Sequence, residues 1–407
     1  ECLHCQQKLI LNIAIFVGSK LESGGGHQYE YKLLNILKKY HNDNSIEFKF
    51  YALDVGFKKL FSDLDININI IKENIFQKKH RILLSNLFFY KIFSKIKMNF
   101  CTIERILAKD KIDLVYFLSP NAISQALNDI PYIFTLWDLG HLEELEFPEL
   151  TSERIFESRE LMYTKSLKKA FKVIVDSDYS KQYSINKYNL DEKRVEVLKF
   201  LPNIRDADNE GSIDIKKIYN IKNDYIFYPA QFWAHKNHMY ILKAIKILKE
   251  KKNIDLDVVF SGSNRGNLEY ILKKAKELGV DDLIHYAGFV PNNQIPSLYK
   301  QSLSLVMPTY LGPTNIPPLE AFFYNTSVCY SDKPSFREQV GDAVFYMDLK
   351  DPHSLVENII TIKNNKELVD YKLQKGLEIL ASWTEEDFYK SLIKIFEEYQ
   401  YIRDAWE

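Results

Sequence analysis

Cysteine is scarce. Four in 407 residues exclude the disulfide framework of a small secreted scaffold, and Cys101 and Cys329 stand in apolar surroundings that suit buried thiols. Cys2 and Cys5, with His4 between them, have the spacing of half a zinc site. No second pair completes a tetrahedral set, so no metal is expected. Neither sign of charge dominates: 54 Lys and Arg stand against 55 Asp and Glu, a net charge of −1. The whole-molecule field therefore offers nothing to a polyanion, and no nucleic-acid partner is expected. No run approaches the roughly 18 apolar residues of a membrane-spanning helix. The first residues have neither the basic start nor the apolar centre of a signal peptide. A cytoplasmic protein is expected, with peripheral contact at the inner face of a membrane left open by one local patch. No stretch is biased toward disorder or a fibre, with 13 prolines and 14 glycines spread through the chain.

That patch runs from Lys72 to Lys111. It holds ten Lys or Arg against three acids (Glu73, Glu104, Asp110), interleaved with Phe88, Phe89, Tyr90, Phe93 and Phe100. Two accounts fit. One is an amphipathic helix packed on the core with a solvated basic face; the other is attraction to an anionic membrane surface.

The length exceeds one ordinary hydrophobic core and suits two domains. LILNIAIFV at 9–17 is a near-continuous apolar run of strand length, followed by Gly24, Gly25 and Gly26 and a helical stretch from His27 to Tyr40. Strand, glycine turn and helix open a doubly wound α/β unit. Further strands are expected at 46–52, 114–118, 132–136 and 173–176. A polar stretch at 202–213 reads as a linker. The pattern then restarts with strands at 225–230, 256–261, 284–287 and 303–307. Helices are expected at 237–249, 268–278, 294–301 and 317–324, and a helical tail at 385–406. The expected division is an N-terminal Rossmann-like domain at 8–204, a C-terminal one at 217–384, and a helix at 385–407 packing back toward the first.

Gly312-Pro313-Thr314-Asn315-Ile316-Pro317-Pro318-Leu319-Glu320-Ala321 follows a strand and opens a helix. Thr314 or Asn315 stands where a cap belongs and the prolines fill early helical positions. Amides at such a helix start suit a phosphate. Glu320, placed in the first turn, can accept hydrogen bonds from paired hydroxyls or merely complement the helix dipole. The tripeptide Asp-any-Asp recurs at Asp63/Asp65, Asp176/Asp178, Asp206/Asp208 and Asp255/Asp257. Its positions at turns and strand ends suit caps better than a metal site. The chain has no GxGxxG, P-loop or Gly-x-Ser-x-Gly elbow.

The runs TYLGPTNIPPLEAFFYNTSV and PAQFWAHKNHMYILKAIKIL resemble the donor-binding signature of retaining, GT-B-fold family 4 glycosyltransferases (glycosyl transferases group 1). The likeness extends to FSGSN at 260–264 and to 285–309 and, weakly, to the N-terminal half. It implies two Rossmann-like domains facing a cleft and transfer of a sugar, most simply a hexose, from a nucleotide sugar to a saccharide or lipid-linked saccharide acceptor. It implies no cofactor. In the family a basic residue and a lysine contact the donor diphosphate; the matching positions are Gln231 and Lys236, so the first charge is missing. The family's second glutamate matches Glu320, which would hold the ribose. The first falls on Gly312, and Thr314 and Asn315 would compensate through side chains or amides, with Ile316 beside them in the donor site. Gly262 ends the matching strand. Phe289 and Val290 would run along the nucleobase, although Phe289 suits a core equally well.

Gly24, Gly25 and Gly26 correspond to a loop that reaches donor phosphate and acceptor, and a flexible turn explains them equally. TLWDLGHLEELEFPEL at 135–150 resembles the loop carrying an acid and a histidine. Asp138 and His141 would orient sugar or acceptor, or each could be a local cap or a surface side chain. Glu143, Glu144, Glu146 and Glu149 read as a solvated face. Two rival functions remain open at this point: a nucleotide-sugar epimerase of the same fold, and a non-catalytic scaffold subunit that binds nucleotide sugar.

Overall fold

The computed structural model describes residues 10–18, 24–43, 45–57, 62–84, 86–95, 101–204, 213–312 and 314–406. Cys2, His4, Cys5, Asp206, Asp208 and Phe100 lie outside them, as does the side chain of Tyr90. Two compact units emerge: Glu1–Trp137 with Glu157–Lys199 and Glu385–Glu407, and Asp138–Phe156 with Phe200–Thr384.

The first unit is built on seven parallel strands in the order β3-β2-β1-β4-β5-β6-β7. They are β1 (Leu11–Phe16), β2 (Ile46–Ala52), β3 (Ile68–Ile70), β4 (Leu114–Phe117), β5 (Tyr132–Thr135), β6 (Lys172–Val175) and β7 (Val195–Val197). Every residue of β4, β5 and β6 is buried, because a parallel sheet covered by helices on both faces leaves no polar side to alternate with. Strand order reverses between β1 and β4, where Ile13 pairs with Phe48 on one side and Leu114 on the other. Helix α1 spans Gly24–Tyr40, so the three glycines form its first turn rather than a loop before it. The helix starts earlier than glycine's weak propensity suggests, since Tyr29, Leu33, Leu34 and Leu37 bury its face.

Helices α2 (Ile75–Leu84), α3 (Leu87–Lys95), α4 (Thr102–Lys109), α5 (Ile155–Lys169) and α6 (Asp178–Tyr188) follow. The basic segment divides. Helix α4 is a core helix that buries Ile103 and Leu107, whereas α2 and α3 leave most of their large apolar side chains in solvent. Asp176 and Asp178 serve the start of α6: Ser177 caps it, and the Ser177 and Ser180 hydroxyls both donate to Asp176. The C-terminal helix Glu385–Arg403 packs on this unit. Glu385 accepts from Lys32 and Lys39 at 2.5 and 2.8 Å, and Arg403 pairs with Asp113 at 3.0 Å.

The second unit carries six parallel strands in the order β10-β9-β8-β11-β12-β13. These are β8 (Tyr225–Pro229), β9 (Asp257–Ser261), β10 (Ile284–Gly288), β11 (Ser304–Met307), β12 (Val328–Ser331) and β13 (Phe345–Met347). Flanking helices are α7 (His238–Lys252), α8 (Leu268–Glu277), α9 (Ile295–Lys300), α10 (Ile316–Phe323), α11 (Pro334–Val340), α12 (His353–Asn364) and α13 (Lys366–Ser382). Asp257 is fully engaged by the Asn223 amide at 2.8 Å and His285 Nε2 at 2.7 Å. Among the described residues no three or more His, Cys, Asp or Glu gather as metal ligands would. No described helix is long and apolar enough to cross a membrane. Here the strand order reverses between β8 and β11, and ligands of open α/β sheets bind beyond the strand ends at such a reversal.

Candidate active site

Both loops singled out by their sequence leave the sheet at that reversal. After β8 the chain runs through Gln231 and Trp233 into a single 3-10 turn, Ala234–Lys236, and Asn237 takes a left-handed conformation before α7. Fully buried Tyr228 donates its hydroxyl to the Lys236 carbonyl at 2.8 Å, which fixes the lysine's backbone. Part of the Lys236 surface stays accessible. Its ammonium end is crowded, however, and loss of solvation pushes its pKa down to about 8, against the opposing charges of Asp138 and Glu149.

Asp138 and Glu149 belong to the same compact unit as Lys236. Glu149 Oε1 lies 2.9 Å from the His235 amide and 2.5 Å from His235 Nδ1. Burial would raise the Glu149 carboxyl, but these two hydrogen bonds prevail and hold it below its usual range. Burial also lowers His235, so the ring is neutral and donates to Glu149. Glu144 accepts from Lys333 Nζ at 2.9 Å. Two of the four glutamates expected on a solvated face are therefore internal ties, found by partners far away in sequence.

Asp138 accepts the Gly140 amide at 2.9 Å, the local cap that was among its readings, while its charge also acts on Lys236. His141 is fully buried, its ring 5.6 Å from that of Phe156. It is not a surface side chain. A Cβ on Gly140 would stand 3.2 Å from Leu311, so the turn of Asp138 packs directly on the loop that leads to Gly312.

That loop differs from expectation in three respects. Glu320 is the fifth residue of α10, beyond its first turn; it is buried and accepts the Tyr299 hydroxyl at 2.8 Å. Asn315 occupies the cap position with extended backbone but makes no side-chain cap. Its side chain donates to Tyr330 at 2.6 Å, and Gln339 takes its amide at 3.1 Å and its carbonyl at 2.6 Å. Pro317 and Pro318 carry no N–H, so among residues 315–318 the amide left for an anion is that of Ile316. Thr314 is buried. Gly312 has φ +113, and a Cβ there would meet Asn315 side-chain atoms at 2.9 and 3.0 Å. A glutamate cannot replace it while the loop keeps this path.

The strand ends beside β8 complete the floor. Gly262 has φ +133 and abuts the peptide of Ala230 and Gln231. Phe289 is 90% exposed, which excludes the core role its sequence allowed. Val290 is buried in the core, leaving only its backbone for a ligand. The Gln231 side chain accepts Trp233 Nε1 at 3.0 Å, and the Arg265 guanidinium carbon lies 5.7 Å from the Trp233 ring. Arg265 Nε and Ser263 Oγ are buried without a hydrogen-bond partner among the described residues. Sequence reading passed over Arg265, although it follows Gly262 in the same strand-end loop; nothing in the sequence pointed to Gln339.

Residues 212–376, less than half of the chain, match the model for glycosyl transferases group 1. Two curated relatives are similar. The O-antigen chain mannosyltransferase RfbU of Salmonella typhimurium is 25% identical over 54% of this chain and 61% of its own length. The O-antigen chain mannosyltransferase B of Escherichia coli is 26% identical over 48% and 52%. The chain thus spans little more than half the length of the curated relatives it matches. A crystal structure of Anabaena HepE in complex with UDP-glucose shares the fold with a TM-score of 0.70 and 14% identity, covering 95% of this chain and all of that one. Residues 212–376 are accordingly a glycosyl transferases group 1 domain, within a two-domain α/β chain of the GT-B type.

Proposed function

We propose that the protein is a glycosyltransferase that moves a hexose from a nucleoside-diphosphate sugar to a hydroxyl of a saccharide or lipid-linked saccharide, in polysaccharide or glycoconjugate assembly. In this reading the transfer retains anomeric configuration and needs no metal. The observation that carries it is Lys236, a lysine with a poorly solvated ammonium at the strand reversal of a group 1 domain. Relatives described as O-antigen mannosyltransferases and a like-folded UDP-glucose complex support the substrate class.

Lys236 meets the donor diphosphate. Arg265 supplies the second positive charge that Gln231 lacks, because the α10 start has few amides to offer and a buried guanidinium nitrogen without a partner favours an anion. Glu320, steadied by Tyr299, accepts the ribose hydroxyls. Phe289 lies against the nucleobase, and Gly312 gives the sugar room that a side chain would fill. Asp138 keeps Lys236 charged and orients the sugar. The bond from the anomeric carbon to the departing phosphate breaks as the acceptor oxygen bonds to the same face, and the acceptor's proton passes to that phosphate. Charge growing on the phosphate is what Lys236 and Arg265 stabilise.

A turnover assay with a panel of nucleotide sugars and saccharide acceptors tests this. Free nucleoside diphosphate is expected in step with glycosylated product, with retained anomeric configuration by NMR and an unchanged rate in excess EDTA. Interconversion of donor epimers without acceptor, or donor binding with no turnover across the panel, would sink the assignment. An inverted product would refute retention alone.

A further inference from the structure

Helices α2 and α3 turn their apolar side chains outward. Phe76 is 83% exposed, Ile75 72% and Phe88 66%, and Ile82, Phe89 and Ile92 are exposed with them. In α2 Ile75, Lys79 and Ile82 recur at helical spacing on one face; in α3 Phe88, Ile92 and Lys95 do the same. The His80 and Phe93 rings meet edge-on at 4.7 Å and join the two helices. Lys72, Lys78, Lys79, Lys91 and Lys95 are exposed, and none makes an ion pair among the described residues. Arg81, the buried cation among the described residues of α2 and α3, is neutralised by Glu73, whose Oε2 lies 2.9 Å from the guanidinium Nε and NH2 nitrogens. Glu73 is thereby spent, so the lysines keep an uncompensated positive charge.

Single exposed apolar residues are ordinary. Six on two adjoining helices, interspersed with unpaired lysines, do not fit the account of a core-packed helix with a solvated basic face. A core-packing helix would bury Phe76 and Phe88 as α4 buries Ile103 and Leu107, and a solvated helix would not carry them. Rings that can enter the acyl boundary beside ammonium groups that can reach phosphates are what an anionic lipid surface takes. We propose that the face of α2 and α3 docks this protein on an anionic bilayer, independently of the donor site. A protein partner of the same apolar character would gain nothing from the lysines unless it were acidic, whereas the lipid headgroups meet both features at once.

The test is co-sedimentation of the full chain with vesicles of phosphatidylcholine alone and of phosphatidylcholine mixed with phosphatidylglycerol, at low and high salt. Binding is expected only to the mixed vesicles, and to weaken as salt rises. Each of Lys78→Gln, Lys79→Gln and Lys91→Gln should lower the partition about fivefold, and Phe76→Ser combined with Phe88→Ser at least about tenfold. All five positions are exposed, so thermal unfolding should match the parent. No binding to the mixed vesicles overturns the proposal, as does equal binding to neutral ones. Lipid-free self-association abolished by the double serine change would also overturn it, by showing that a second copy covers this face. Turnover of a water-soluble acceptor should be unchanged in these variants, which separates failure here from failure of the proposed activity.

Discussion

Lys236→Ala is expected to lower kcat by about 10²–10³-fold, the cost of losing one fixed partner of a developing anion. Folding should survive, because a methyl group leaves the Tyr228 bond to the residue-236 carbonyl intact. The pH dependence adds a sharper signature. With its pKa pushed down to about 8 by lost solvation, the ligand-free lysine gives up its proton as pH rises through that value. Affinity for a nucleoside diphosphate should therefore fall above about pH 8 in the parent. It should stay flat there in Lys236→Arg, whose guanidinium remains charged. A parent affinity that held steady to pH 10 or so would place the titrating lysine away from the phosphates.

Gly262→Ala should damage both stability and donor binding. The new Cβ would stand 2.5 Å from the Ala230 carbonyl oxygen and 2.8 Å from the Gln231 nitrogen. Both are backbone atoms that cannot swing aside, and φ +133 strains any side chain. Strain and overpacking together suggest a loss of about 3 kcal/mol, or roughly 6–12 °C in Tm for a unit of this size. The displaced peptide is the one that leads to Lys236, so donor affinity should fall as well. Gly279→Ala is the control: φ is +68 but nothing lies within 4 Å of the new Cβ, so only the backbone strain remains. Differential scanning calorimetry of the two variants decides it; equal Tm values would mean that the close approach at Gly262 carries no weight.

How much of this was legible depended on whether the cause lay nearby in sequence. Strands β1, β4, β5 and β6 announce themselves as apolar runs because both faces of their sheet are covered. The three-residue strands β3, β7 and β13 give no period to read. The first turn of α1 is glycine, and only its packing makes it helical. In the site, Lys236 and Gly312 stood out through motif context, and Gly312 proves to be a backbone requirement as much as a missing carboxylate. Glu149 read as solvent-facing because His235, its partner, is 86 residues away. Asn315 read as a cap because its spacing was right, but Tyr330 and Gln339 compete for it. Arg265 belongs to no motif, and only the folded loop brings it beside Trp233.

The central claim is that a diphosphate is held at the β8–β11 reversal by Lys236 and Arg265. Calorimetric titration of the parent, Arg265→Ala and Lys236→Ala with the nucleoside diphosphate released in turnover tests it most directly. Each variant should bind at least about tenfold more weakly than the parent, the loss of one charge-assisted hydrogen bond, with Tm unchanged in the absence of ligand. Parent-like affinity in both variants would contradict the account.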